Sequence, residues 1–241
     1  MVKSTGSVLQ VYLLGLVEFE AALALQRRLV FDVAGEPESA ALILCEHPPL
    51  ISVGRQGSWA HIFADDHELR ARQWRVRWVN RGGGCVLHLP GQLAIYPILP
   101  LRYHQLGIRE YLDRLQAVLI AVLKDFSVPA HGRPDQTGIW VGKRPIASIG
   151  VAVRDWVSYY GAVLNISPPL HLFRWLQCGA PGDDSMTSIA KERRGALKPS
   201  LVRERFLEHF TNTFSFERMS LFSDHPQLRR KAATDVVATR R

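Results

Sequence analysis

Three consecutive glycines behind a single arginine, Arg81-Gly82-Gly83-Gly84, constrain this chain more than any other feature. Glycines without Cβ atoms permit positive φ and let a ligand lie directly on backbone N–H groups. The loop opens the stretch Asn80–Leu99, which passes through Cys85-Val86-Leu87 to His88, turns at Pro90-Gly91-Gln92 and ends in an apolar run that reads as a buried strand. Arg81 is placed to hold a carboxylate, phosphate or carbonyl at the mouth of the loop. No Lys-Ser/Thr pair closes it as in a Walker loop, and a strand rather than a helix follows, unlike a dinucleotide-binding loop. The residues alone also allow a plain glycine turn between strands.

The rest of the chain supplies periodicities for one sizeable core. With 241 residues and 47% apolar content, it can bury either one large domain or two small lobes. A strand is expected from Val8 to Leu14, an amphipathic helix from Glu18 to Val33 and a buried strand from Ala40 to Glu46. His47-Pro48-Pro49 stops that strand, and Leu50–Val53 leads to a second glycine-flanked basic loop, Gly54-Arg55-Gln56-Gly57. Ile108–Asp125 has the strongest helical pattern, with Ile108, Tyr111, Leu112, Leu115, Val118, Leu119 and Val122 on one face. Two apolar runs around Gly142-Lys143 predict a hairpin over Ile139–Val153, Tyr159–Ile166 a further strand, and Leu201–Phe214 a last helix. Strands and helices mixed without regular βαβ alternation give an α+β class with a mixed β-sheet flanked by helices. The expected organisation is one catalytic domain over residues 1–214 and a basic, flexible tail over 215–241.

Charge and cysteine usage narrow the partners. The formal net charge of +8 favours acidic partners: nucleic acid, a membrane surface or acidic proteins. Arginines interleaved with Trp74 and Trp78 are the only hint of base stacking, in a short segment. No apolar run reaches the ~18 residues of a membrane span. Lys3 precedes an apolar run, but Glu18 and Glu20 follow without a small-residue cleavage site, so a cytoplasmic protein is expected. Cys45, Cys85 and Cys178 lack metal spacing, and their odd number argues against a disulfide framework. Cys45 lies in an apolar run as a small hydrophobe. Cys178, in WLQCGAPGDDSMTSI, sits on a Gly/Pro-rich loop and is the candidate nucleophile. A free thiol with a pKa of about 8.5 is only a few per cent ionised at neutral pH and needs a nearby cation, base or helix N-terminus.

Taken in order, five blocks resemble the bacterial octanoyltransferases, the lipoyl(octanoyl) transferase family. They are Glu46-His47-Pro48-Pro49 with Gly54; Arg81-Gly82-Gly83 with His88 and Pro90-Gly91-Gln92; Gly138–Gly150 ending Ile146-Ala147-Ser148-Ile149-Gly150; Gly161 with Leu164-Asn165; and Cys178-Gly179 with Thr187-Ser188. The resemblance covers roughly Ala40 to Phe214 and implies a biotinyl/lipoyl protein ligase-transferase-like fold. It further implies transfer of octanoyl from an acyl carrier protein to Cys178 as a thioester, then to a lysine amine. The implied acceptors are lipoyl domains of 2-oxoacid dehydrogenases and the glycine cleavage H protein. The implied substrate-binding residues are Arg81, Gly82, Gly83, Gly84, Cys85, Val86, Leu87 and His88, then Ser148, Ile149 and Gly150, then Gly161, Ala162 and Val163. Thioester exchange is close to thermoneutral, so neither cofactor nor metal is expected; neither a nucleic acid nor a membrane is expected as a partner.

The chain departs from the family pattern at informative positions. The family's lysine before Ile-Ala-Ser-Ile-Gly, which lowers the cysteine pKa and shuttles a proton, is Pro145 here, and its histidine before the glycine of the Gly-x-x-Leu-Asn strand is Tyr160. The Thr-Tyr-His-Gly of its substrate loop is Val86-Leu87-His88-Leu89. Strand alternation would set Lys143 on the same face as position 145 as a substitute cation, with Arg144 facing away. The alternatives are a catalytically degenerate paralogue that binds acyl or lipoyl proteins without turnover, and a lipoate–protein ligase, for which no ATP-site motif is visible.

Overall fold

The computed structural model describes residues 8–134, 136–177, 185–195 and 197–228. Alternating apolar residues build an eight-stranded mixed sheet in the order β11-β1-β2-β6-β10-β9-β8-β7. In chain order its strands are β1 (Val8–Leu16), β2 (Ser39–Glu46), β6 (Gln92–Ile98), β7 (His131–Arg133), β8 (Gln136–Val141), β9 (Arg144–Arg154), β10 (Val157–Asn165) and β11 (Arg218–Phe222). A smaller sheet in the order β4-β3-β5 is made of β3 (Leu50–Val53), β4 (Arg75–Trp78) and β5 (Cys85–His88). The mixed sheet and flanking helices agree with the α+β class read from the sequence.

Alternation sorts the large sheet's side chains into two cores. Leu9, Val11, Leu42, Leu44, Leu93 and Ile95 face α3 (Ile108–Asp125) and α5 (Pro199–Thr213), which supply Tyr111, Leu115, Val118, Leu119, Phe206 and Phe210. Tyr12, Leu14, Ile43, Cys45, Ala94 and Tyr96 point the other way, onto α1 (Phe19–Gly35). Ile108, read as part of the apolar face of α3, is 46% exposed in the helix's first turn. Cys45 is completely buried, as its apolar neighbours predict. Trp74 is packed with Leu69, Phe173 and Leu176 behind the small sheet, so it presents no ring for stacking on bases.

The chain beyond Phe214 differs from the flexible tail that was expected from residue 215. Phe216 is buried in the core of α3 and α5, and β11 pairs in parallel with β1, with Phe222 stacked on Tyr12 at 5.2 Å. Basic composition marked this segment as solvated, whereas the open edge of β1 provides a ladder that composition does not show. No helix among the described residues is long and apolar enough to cross a membrane.

The two sheets meet at buried polar side chains. His47 Nδ1 donates to the Val17 carbonyl at 2.7 Å, which leaves Nε2 to accept from the Tyr96 hydroxyl at 2.7 Å. Burial holds the His47 pKa down to about 4. Unfolded, the same imidazole would protonate near 6.5. Between these values the unfolded chain binds more protons, so the stabilisation is complete above pH ~6.5 and is lost as the pH falls towards 4. Lowering the pH from 7 to 4.5 should reduce the unfolding free energy, with an upper bound of about 3 kcal/mol from this group. In urea titrations, His47→Gln should show a smaller pH-dependent shift of the midpoint; an equal shift in parent and variant would refute the assignment.

Candidate active site

The glycine loop is held by its own arginine. Arg81 is only 6% exposed, and its Nη2 donates to the Ser52 carbonyl and Oγ, both at 2.8 Å, while Nη1 donates to the Gly82 carbonyl at 3.0 Å. Gly54 N bonds the Gly84 carbonyl, Arg55 N that of Arg81 and Gln56 N that of Gly83, so the two glycine-flanked loops form one unit. Gly82 N bonds the Val151 carbonyl at 2.8 Å and seats this unit on β9. The close approach explains two glycines: a Cβ at Gly54 would lie 2.4 Å from the Gly83 carbonyl oxygen, and one at Gly150 would lie 2.4 Å from that of Gly82. Gly83 takes φ +77°, the conformation for which glycine was expected in this loop.

Behind the loop lies a narrow chamber of about 20 Å³ lined by Phe19, Arg81, Val86, His88, Tyr96, Ser148, Gly150, Tyr160, Gly161, Ala162 and Val163. Its wall is mainly apolar, which suits an acyl chain better than a polar ligand. Arg81, Val86 and Ser148 also line a wider mouth of about 460 Å³, together with Gln56, His61, Pro145 and Gln177. Gly83, Gly84, Cys85 and the Ile149 backbone region belong to this mouth. Leu87 does not reach the site: alternation along β5 turns it into the core behind the small sheet, away from Val86 and His88. Gly82 contributes by seating the loop. Cys178 lies outside the described residues; Gln177, the residue before it, lines the mouth and donates its N–H to the His61 carbonyl at 2.8 Å.

The electrostatics follow from burial. Ser52 Oγ accepts from Arg81 Nη2 and shares a second hydrogen bond, 2.8 Å long, with His88 Nε2. Burial, with His47 and Arg81 nearby, holds the His88 pKa well below the usual histidine range, so the ring is neutral. Desolvation lowers Arg81 to about 10, and it remains a cation at neutral pH. Its hydrogen-bond acceptors are all neutral, which leaves a buried positive charge at the junction of chamber and mouth.

The sequence blocks converge in a second polar chain. Glu46 Oε2 accepts from Gly91 N at 2.8 Å, and Gln92 accepts from Leu89 N and donates to the Leu87 carbonyl and to Asn165 Oδ1. Asn165 Nδ2 donates to the Thr187 carbonyl at 2.9 Å, and Thr187 N donates to the Pro145 carbonyl at 2.8 Å. These motif residues therefore tie three strand ends and the segment entering α4 (Ile189–Arg193) around the mouth.

The cation substitution expected from strand alternation is not present. Gly142 and Lys143 form the hairpin turn itself, Gly142 at φ +61°, and Lys143 is exposed there rather than in phase with Pro145. The register shifts between Ile139 and Trp140, opposite Pro145, where proline cannot donate to the ladder. Arg144 pairs with both Glu192 carboxylate oxygens at 3.0 Å, and Thr187 Oγ1 bonds the same carboxylate. Phe19, Tyr96, Tyr160 and His61 were not singled out as site residues. Phe19 reads as core-facing from helical spacing, and only the family's histidine at position 160 signalled Tyr160.

The chain matches the lipoyl protein ligase A/B catalytic domain over residues 18–211. It is 36% identical over 209 residues to an octanoyltransferase of Solibacter usitatus, spanning 86% of this chain and 93% of the relative. It is 40% identical over 167 residues to one of Geobacter metallireducens, spanning 69% and 75%. At 14% identity its fold superposes on lipoate-protein ligase A bound with ATP with a TM-score of 0.73, covering 90% of each chain. A putative lipoate protein ligase from T. acidophilum with bound lipoic acid gives 0.70, again over 90% of each. The loop, the chamber and the motif network thus occur in a chain that belongs to the lipoyl protein ligase A/B catalytic-domain family.

Proposed function

We propose that this chain is an octanoyltransferase that moves octanoyl from an acyl carrier protein through Cys178 to the ε-amine of a lysine on a lipoyl domain. The observation that carries this reading is the mainly apolar chamber that meets, at Arg81, Val86 and Ser148, a mouth lined by the residue before Cys178. The relatives named octanoyltransferase support the acyl group and the reaction class. Lipoyl domains, including that of the glycine cleavage H protein, are the acceptors in this proposal. The +8 net charge suits acidic carrier and lipoyl domains.

In the first step the Cys178 thiolate attacks the thioester carbonyl, the tetrahedral intermediate collapses, and the carrier thiolate leaves and takes up a proton. In the second, the lysine amine attacks the acyl-enzyme, the cysteine thiolate leaves, and the amine loses a proton to give the amide. Gly83 and Gly84 N–H groups are not used in the loop's own hydrogen bonds among the described residues. With the Arg81 charge, they are suited to stabilise the oxyanion, a contribution of about 3 kcal/mol where such donors have been removed elsewhere. Pro145 carries no proton, and Lys143 and Arg144 do not line the mouth. His61 does line it, and histidine is the side chain that gains and loses a proton near neutral pH. His61 therefore takes the proton-carrying part in this proposal.

Intact-mass spectrometry with octanoyl-carrier protein tests the nucleophile. An octanoyl adduct should form on the parent and on Cys45→Ser and Cys85→Ser, and be lost in Cys178→Ser; an adduct in Cys178→Ser would overturn the assignment. Gly83→Val, forced into φ +77° with a β-branched side chain, should lose acylation while remaining folded by circular dichroism. Normal acylation of that variant would make the loop a turn without a substrate role. His61→Gln should slow transfer by about 100-fold, in the range of general acid–base contributions, with the octanoyl-carrier KM little changed. An unaltered kcat would remove His61 from the mechanism.

A further inference from the structure

The geometry points to Tyr160 as the end wall of the acyl chamber, and so to a residue that sets acyl-chain length in this protein. This inference rests on the octanoyl reading and adds a specificity determinant to it.

The chamber has a direction set by strand register. Pro145 and Ala147 on β9 line the mouth, Ser148 lines both spaces, and Gly150 lines the chamber alone. Across the ladder, Ser148 faces Val163, Gly150 faces Gly161, and Val151 faces Tyr160. An acyl chain entering at Ser148 therefore runs past two facing glycines and meets the Tyr160 ring at the next rung. Three rungs at ~3.3 Å each give roughly 10 Å of depth, short enough to measure a medium-length chain.

The ring is held in this place by its backbone. Tyr160 has φ +55° inside β10, a rare conformation for a non-glycine residue. Gln26, a buried side chain of α1, accepts from Tyr160 N at 2.8 Å. With that anchor the ring packs among Phe19, Leu23 and Leu50. On its far side Tyr160 lines a separate groove of about 300 Å³ that also includes Leu23 and Val30. The ring is thus a partition: chamber on one side, groove on the other.

Removing the partition should let longer chains through. Tyr160→Gly deletes the ring and also suits the positive φ, so the variant loses the wall without adding backbone strain. Calorimetric binding of octanoic, decanoic and dodecanoic acids reads the chamber independently of turnover. The parent should bind dodecanoic acid no more tightly than octanoic acid. Tyr160→Gly should gain affinity with length, up to about fourfold per added methylene, the factor expected for burying one CH2. The kcat/KM ratio for dodecanoyl over octanoyl carrier protein should rise at least tenfold in parallel. Tyr160→Phe, which keeps the ring, should retain the parent's chain-length profile. An unchanged length profile in folded Tyr160→Gly would overturn the inference, as would a parent that already gains affinity with every added methylene. Absence of transfer from octanoyl-carrier protein by the parent would instead overturn the octanoyl reading, while the binding series still judges the wall.

Discussion

The buried Arg81 guanidinium is the interaction on which the rest of the site depends. A charge taken this far out of water is costly unless its hydrogen bonds are made, and Arg81 makes them to Ser52 and Gly82 rather than to a carboxylate. Those bonds clip β3 to the glycine loop, and the loop to β9 through Gly82 N. With no anion among its acceptors, the cation keeps an unbalanced charge beside the chamber. The arginine expected to meet a ligand at the loop's mouth therefore acts first as the loop's internal brace, and it also lines both chamber and mouth.

A second set of constraints runs through the motif residues. Glu46, Gln92, Asn165 and Thr187 lie far apart in sequence, yet successive hydrogen bonds carry the chain from the end of β2 to the Pro145 carbonyl. Each is a buried or half-buried polar group whose partner is another motif residue, so loss of one would leave its neighbour unsatisfied. These residues frame the mouth by fixing backbone segments, and none of them needs to touch the acyl group.

Pro145 shows how one substitution redistributes roles. Without an N–H it sits beside a register shift in the β8–β9 hairpin, and it brings no charge to the mouth that it lines together with His61. The nearby cations are held elsewhere: Arg144 by Glu192, and Lys143 by a turn that faces solvent. Counting residues from position 145 placed Lys143 on the correct face only for an uninterrupted strand. A two-residue turn breaks the period of two, so the inference failed at the residue where the strand begins.

Local chemistry written into the sequence determined much of this protein. Periodicity alone delimited α3 from Ile108 to Asp125, the run before His47-Pro48 gave β2, and the Arg-Gly-Gly-Gly loop and its positive φ were legible because glycine adopts that conformation without steric cost. Most residues that the family blocks implied for the site line the chamber or the mouth; Leu87, on the opposite face of β5, and Gly82, which seats the loop, do not. What the tertiary structure alone decided were contacts between distant segments. Phe19 reads as an ordinary core position of α1, and His61 as an unremarkable polar residue, until folding sets one in the chamber and the other at its mouth. β11 needed an unpaired edge on β1 before a basic, weakly apolar segment could become a strand. Tyr160 became a wall through a hydrogen bond to Gln26, 134 positions away, and no local pattern encodes a bond of that separation.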